Sequence, residues 1–148
     1  MPQSLSKLWV HIIFSTKGRY PFLDDNVCSK AHAYMAGILQ NLGALVGEIG
    51  GTEDHVHILC SLPRTLSIAQ LVEEVKKSSS QKMKACGVNN FYWQRGYGGF
   101  SVSESEVETV ARYIKSQKEH HRKMSFQEEY EIFLKKHRVD YDKKFVWD

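Results

Sequence analysis

Asp54-His55-Val56-His57-Ile58-Leu59-Cys60-Ser61-Leu62 is the stretch that decides the fold. Side chains alternate across a strand, so Val56, Ile58, Cys60 and Leu62 share one face, while His55, His57, Leu59 and Ser61 share the other. The first set is an apolar surface for a layer of helices to cover. The second carries two imidazoles and is expected on the open side of the sheet. Pro63 closes the strand. Just upstream, Ala44 to Ile49 predicts another short strand, and Gly50-Gly51 is the turn signal that folds the two together as a hairpin.

Trp9 to Thr16 (WVHIIFST) is β-branched and aromatic, and predicts an earlier strand; Lys17 to Asp25 is a loop broken by Gly18 and Pro21. From about Asp25, the spacing of Val27, Ala31, Met35, Ile38, Leu39 and Leu42 predicts a helix that Gly43 ends. A second helix starts near Ser67 with a capping box to Gln70 and turns Ile68, Leu71, Val72 and Val75 inward. Phe91 to Val102 (FYWQRGYGGFSV) reads as a loop running into a last strand. Ser103 with Glu106 predicts a further capping box and a third helix to about His121. Ser125 with Glu128 caps a fourth, whose apolar face is Phe126, Tyr130, Phe133 and Leu134; residues 139–148 are uncommitted.

The order β-α-β-β-α-β-α-α predicts an α+β fold: a ferredoxin-like (RRM-like) βαββαβ sandwich with an antiparallel sheet, plus C-terminal helices. The expectation is a single domain over 1–148, with a core of about 7–121 and a C-terminal helix and tail over 122–148.

Of the 148 residues, 42% are hydrophobic and 25% charged, which argues against disorder as the main state. No apolar run approaches the ~20 residues needed to cross a bilayer, and the first residues show no secretory signal pattern. Cys28, Cys60 and Cys86 are widely spaced with no CxxC pair, disfavouring a zinc knuckle or a disulfide framework. A cytoplasmic protein with no membrane partner is expected. The net charge of +3 permits a nucleic-acid partner without arguing for one.

His55 and His57, two apart on a strand, stand about 6.5–7 Å apart along one face and can converge on one cation. Alone, such a pair also fits two solvated histidines. On the third predicted helix, Tyr113 and Gln117 are spaced i, i+4 on the shoulder of the apolar stripe. Two imidazoles and an amide oxygen make a mixed N/O donor set suited to Mg²⁺ or Mn²⁺, and a tyrosine beside such an ion is a candidate nucleophile toward a phosphodiester. His11 shares a face with Ile13 and Ser15 and falls near the pair if the two strands are neighbours. Lys76 and Lys77 lie in a stretch without acids, and Lys17, Arg19 and Arg95 sit at strand ends on glycine-containing loops. Each fits either a phosphate contact or a solvated surface. Tyr92, Trp93 and Tyr97 fit either base stacking or core packing.

Taken in register, Gly51-Thr52-Glu53-Asp54-His55-Val56-His57-Ile58-Leu59, Ala111-Arg112-Tyr113-Ile114-Lys115-Ser116-Gln117, Trp93 to Phe100 and His11 to Arg19 resemble the single-tyrosine HUH transposases of the IS 200/605 type, including the repeat-associated tyrosine transposases. The resemblance covers nearly the whole chain. It implies His55, His57 and Gln117 as ligands of a divalent cation (Mg²⁺ or Mn²⁺), and Tyr113 as the nucleophile. Cleavage and rejoining of single-stranded DNA would then pass through a 5′-phosphotyrosine, with recognition of DNA hairpins. The implied assembly is a homodimer in which active sites can be shared between subunits, and the implied setting is the prokaryotic cytoplasm, at the nucleoid. Two other readings of the residues stand beside it. A non-catalytic ferredoxin-like single-strand nucleic-acid binder has no reason to pair Tyr113 and Gln117 with His-x-His. A histidine-triad hydrolase wants a further histidine where Leu59 stands.

Overall fold

Alternation along four strands builds both sides of this molecule. The computed structural model describes residues 2–120 and 123–148. In chain order the elements are β1 (Trp9–Ser15), α1 (Asp25–Asn41), β2 (Val46–Thr52), β3 (His55–Ser61), α2 (Ile68–Ala85), β4 (Gly98–Val102), α3 (Val107–Lys115), α4 (Gln117–His120) and α5 (Phe126–Lys136). The sheet order is β2-β3-β1-β4, and every neighbouring pair is antiparallel. This is the arrangement expected of a βαββαβ unit.

The helices start where the sequence provides caps. Asp24 accepts the Val27 N–H at 2.9 Å at the head of α1, and Ser67 and Gln70 form the full capping box of α2. Ala31, Met35 and Leu39 from α1 meet Leu71, Val72 and Val75 from α2 over Ile12, Phe14, Val56, Ile58 and Cys60 of the sheet. The apolar face of β3 is therefore covered by the predicted helices. None of Cys28, Cys60 and Cys86 is in a disulfide.

The opposite sheet face departs from expectation. It is covered, not open: Ile13 and Phe100 pack against Phe126, Tyr130 and Leu134 of α5, with Val146 and Trp147 of the tail beside them. The physical reason is that α5 and the tail carry aromatic side chains that must be buried, and this sheet face offers the apolar surface to take them. The tail is pinned as well, because the Asp148 carbonyl accepts from Gly96 N at 2.7 Å and from Gln94 Nε2 at 3.2 Å. His55 and His57 are consequently 0% exposed.

Two further differences are local. Gly50-Gly51 lies inside β2, and the turn falls at Glu53-Asp54. The glycines are needed for close approach: a Cβ at Gly50 would lie 2.4 Å from the Ile114 carbonyl oxygen of α3, and one at Gly51 2.2 Å from the His55 oxygen. Gly50→Ala is expected to push α3 off β2 and destabilise the fold by about 1–3 kcal/mol, read as a lower melting temperature with the far-UV circular dichroism retained. The second difference is in the third predicted helix. A 3₁₀ turn at Glu104–Glu106 precedes α3, without a side-chain cap from Ser103, and the helix breaks at Ser116. There the Ser116 hydroxyl turns back onto the Arg112 carbonyl at 2.9 Å, the local competition that bends helices. The predicted helix end at His121 lies outside the described residues.

Candidate active site

The register of β1 against β3 puts Ile13 opposite His57 and His11 opposite Leu59, so His11 stands diagonally beside His57 on the same face. His11 Nε2 and His57 Nδ1 are 2.8 Å apart. His55 Nδ1 lies 2.7 Å from Asp54 Oδ1 and 3.0 Å from Thr52 Oγ1. An ionised carboxylate only accepts, so Nδ1 carries a proton, which leaves His55 Nε2 as the ring nitrogen facing the interior.

Gln117 reaches this pair even though the helix breaks ahead of it: its Oε1 is 3.3 Å from His55 Nε2. Tyr113, half-buried, brings its ring to 5.9 Å from that of His57. The four predicted residues therefore converge within a single chain. At their centre is Glu129 of α5, which is 2% exposed. Its Oε1 is 2.9 Å from His57 Nε2 and 3.7 Å from His55 Nε2. Its Oε2 accepts from the Tyr113 hydroxyl and, at 3.2 Å, from Gln117 Nε2.

Sequence reading passed over Glu129. It sits three residues after Phe126 and four before Phe133, inside the apolar stripe of its own helix. An acid in that position is the signal that marks it, since a carboxylate buried in a core requires partners.

Burial, and then the Glu129 carboxylate, push the Tyr113 phenol above its ordinary pKa. Burial, followed by the charge of His57, draws His11 well below the usual imidazole range, so His11 is neutral near pH 7.

The donor set fits a divalent cation. Donor atoms of His55, His57 and Glu129 all lie within 4.8 Å of one another. Around an octahedral ion with ligands at about 2.1 Å, adjacent donors stand about 3 Å apart and opposite ones about 4.2 Å. The observed 2.9, 3.3 and 3.7 Å separations lie in that range. Two nitrogens, an amide oxygen and a carboxylate, with no thiolate, are a donor set able to hold a divalent cation. With His57 Nε2 committed to a cation, its Nδ1 would carry the proton and donate to His11. His11→Phe removes that acceptor and is expected to weaken Mn²⁺ binding about 10–100-fold, with His11→Gln losing less, in a calorimetric titration.

A cavity of about 700 Å³ reaches the site, and His11, Tyr113 and Glu129 form part of its wall. None of the predicted DNA contacts Lys17, Arg19, Lys76, Lys77 and Arg95 lines it. Lys17, Lys77 and Arg95 are exposed, with Lys17 and Lys84 both over the ring of the exposed Tyr92, at 5.6 and 4.3 Å. Arg19 places its guanidinium 5.9 Å from the Trp147 ring. Lys76 is committed elsewhere: its ammonium donates to the carbonyls of Gln94, Arg95 and Gly96 at 2.8, 3.2 and 2.7 Å, and burial draws its pKa down to about 8. It staples the loop ahead of β4. Trp93 is a core residue whose indole N–H donates to Ser79 Oγ at 2.9 Å.

The fold is shared with solved structures. One, of a protein assigned as a transposase from Deinococcus radiodurans R1, is similar at a TM-score of 0.64 and 24% identity, covering 79% of this chain and 98% of that one. Another is a REP-associated tyrosine transposase bound to a REP hairpin, similar at a TM-score of 0.58 and 15% identity over 78% of this chain and 70% of that one. No curated protein matches the chain. A family model described as "Transposase IS200 like" matches residues 4–117, a span that holds His55, His57, Tyr113 and Gln117 and stops before α5. With more than three quarters of its length inside that match, the chain belongs to the IS200-like transposase family.

Proposed function

We propose that this protein cleaves and rejoins single-stranded DNA beside hairpins, with Tyr113 as the attacking group and a covalent 5′-phosphotyrosine between the two steps. The observation that carries the reading is the convergence of the Tyr113 hydroxyl with the buried His55, His57, Gln117 and Glu129, of which Tyr113 and Glu129 reach the wall of an open cavity. A protein that only binds nucleic acid has no use for such a set, because burying a carboxylate and two imidazoles is costly unless they are used.

His55, His57, Gln117 and Glu129 would hold the cation. Bound there, a divalent ion supplies Lewis-acid polarisation of the scissile phosphate and neutralises charge as it develops. The residues divide the remaining work. Glu129 is two-sided: Oε1 faces the imidazoles, and Oε2 accepts the phenol proton. Tyr113 Oη forms the bond to phosphorus as its proton passes to Glu129; the P–O3′ bond breaks, and the 3′-oxygen leaves as a hydroxyl after taking a proton from water. The phosphotyrosine retains the diester energy, so a 3′-hydroxyl attacking it restores a DNA strand and returns the proton to the phenol.

Lys17, Arg19, Lys77 and Arg95 are the proposed backbone contacts, with Tyr92 as a stacking platform between two ammonium groups. The proposed setting is the cytoplasm, at the nucleoid. Among the described residues no helix is long and apolar enough to cross a membrane.

The test is direct. Labelled single strands carrying a hairpin and flanking unpaired DNA are mixed with the protein and Mn²⁺ or Mg²⁺, then run on a denaturing gel. A protein-linked band that requires the metal and vanishes with EDTA is the expected result. Absence of any linked band across hairpin sequences would overturn the proposal.

A further inference from the structure

The cavity beside Tyr113 is larger than the chemistry of a phosphate needs. Its wall joins β4, α3 and α5: Phe100, Val110, Ile132 and Phe133 provide apolar surface next to Tyr113. The rings pack on one another, and the half-buried Phe133 shows a face to the cavity. Phe100 and Phe133 lie 5.5 Å apart at 27°, and His137 follows Phe133 at 18° and stands 4.5 Å from Phe100. Exposed Ser101, Ser103, Glu106, Thr109 and Lys136 also line it, adding hydroxyl groups, one carboxylate and one cation. Met124, Ile132, Phe133, Lys136 and His137 all lie beyond residues 4–117, so much of this wall is built by the chain outside the family match.

We infer that this cavity receives an unpaired nucleobase of the attacked strand, from a nucleotide adjoining the scissile phosphate. The inference rests on the strand-cleavage reading above and adds a base-reading subsite to it. Continuity with the phenol argues for this occupant, since a strand whose phosphate meets Tyr113 Oη must place its neighbouring sugars and bases against the same wall. The chemistry agrees. An aromatic ring at the wall, Phe133, stacks any base, polar groups give its edge partners, and Lys136 suits the adjoining phosphate. The volume of about 700 Å³ lies within the range of sites that enclose a ligand of this size.

The experiment maps the cleaved bond with the wild-type protein, then makes strands with a single abasic residue on either side of it. One of the two abasic strands is expected to react about 5- to 100-fold more slowly at sub-saturating concentration, the range that one base stack is worth. Ile132→Trp, at a position 50% exposed, fills the cavity without disturbing the core, and Phe133→Leu removes the stacking face. Each is expected to slow the intact strand by a similar factor, with little further loss on the abasic strand, because both changes delete the same contact. Melting curves guard against a folding defect in Phe133→Leu, and Ile132→Trp keeps the test open if that variant is unstable. If the abasic strands react like the intact one, or the losses simply multiply, the subsite is wrong while strand cleavage stands. If no strand forms an adduct with the wild type, the cleavage reading fails and the subsite falls with it.

Discussion

Glu129→Gln is expected to weaken Mn²⁺ binding by about 100-fold and to slow formation of the protein–DNA adduct by about 10²–10⁴-fold, with little change in melting temperature. The first figure follows from position. Losing a partner that only orients a metal ligand costs 10–100-fold in affinity, and Glu129 Oε1 stands among the donor atoms themselves. The second follows from Oε2, which accepts from the Tyr113 hydroxyl, since a positioned general base contributes 10²–10⁴-fold. Stability is expected to hold because the amide keeps the shape and an acceptor oxygen for its buried partners, whereas Glu129→Ala would leave the Tyr113 hydroxyl and Gln117 Nε2 without that acceptor. Calorimetric Mn²⁺ titration and single-turnover gels read the two effects separately. Unchanged affinity and rate would reduce Glu129 to a core residue. A faster reaction would make it a plug that the wild-type protein must displace.

Much of the architecture was legible because it depends on local order. Alternation in β1 and β3, the Asp24 and Ser67 caps, and the apolar spacing in α1 and α2 each act within one element, and the split βαβ order restricts how such elements assemble. The meeting of Tyr113, His55, His57 and Gln117 was legible for the same reason: a two-residue repeat fixes the face of His55 and His57, and the turn at Ser116 still delivers Gln117. Three features were not. Periodicity tells which face of α5 is apolar but not which surface it covers, so the burial of the second sheet face stayed hidden. Gly50-Gly51 has turn composition, yet the close approach of the Ile114 carbonyl is what requires it. Lys76 reads as a surface cation, and only the fold brings the carbonyls of Gln94, Arg95 and Gly96 to its ammonium. Glu129 falls between these cases. Its interruption of an apolar stripe was visible, but its partners, 12 to 74 positions back at Gln117, Tyr113, His57 and His55, were not.

Tyr113→Phe is expected to abolish the linked band altogether while leaving Mn²⁺ affinity within a few-fold of wild type. The change deletes one oxygen and leaves the ring, its packing 5.7 Å from Phe133 and all four donor side chains in place. A phenyl ring has no nucleophile to offer, so no residual rate is available from this position. His57→Ala is expected to lose the band through the cation instead, and the two variants together decide how the site is assembled. In this chain Tyr113 stands 5.9 Å, ring to ring, from its own His57. A site built within one subunit predicts that a mixture of Tyr113→Phe and His57→Ala proteins stays inactive, because neither chain holds both an intact phenol and an intact imidazole pair. A homodimer that exchanges its tyrosine helices would instead regenerate one complete site in each mixed dimer, about a quarter of the wild-type sites after random reassortment. Restored activity would therefore require α3 to leave its contact with β2 at Gly50 and reach a second subunit. A linked band that persists in Tyr113→Phe alone would move the nucleophile to another residue and remove the reason for the buried set around Glu129.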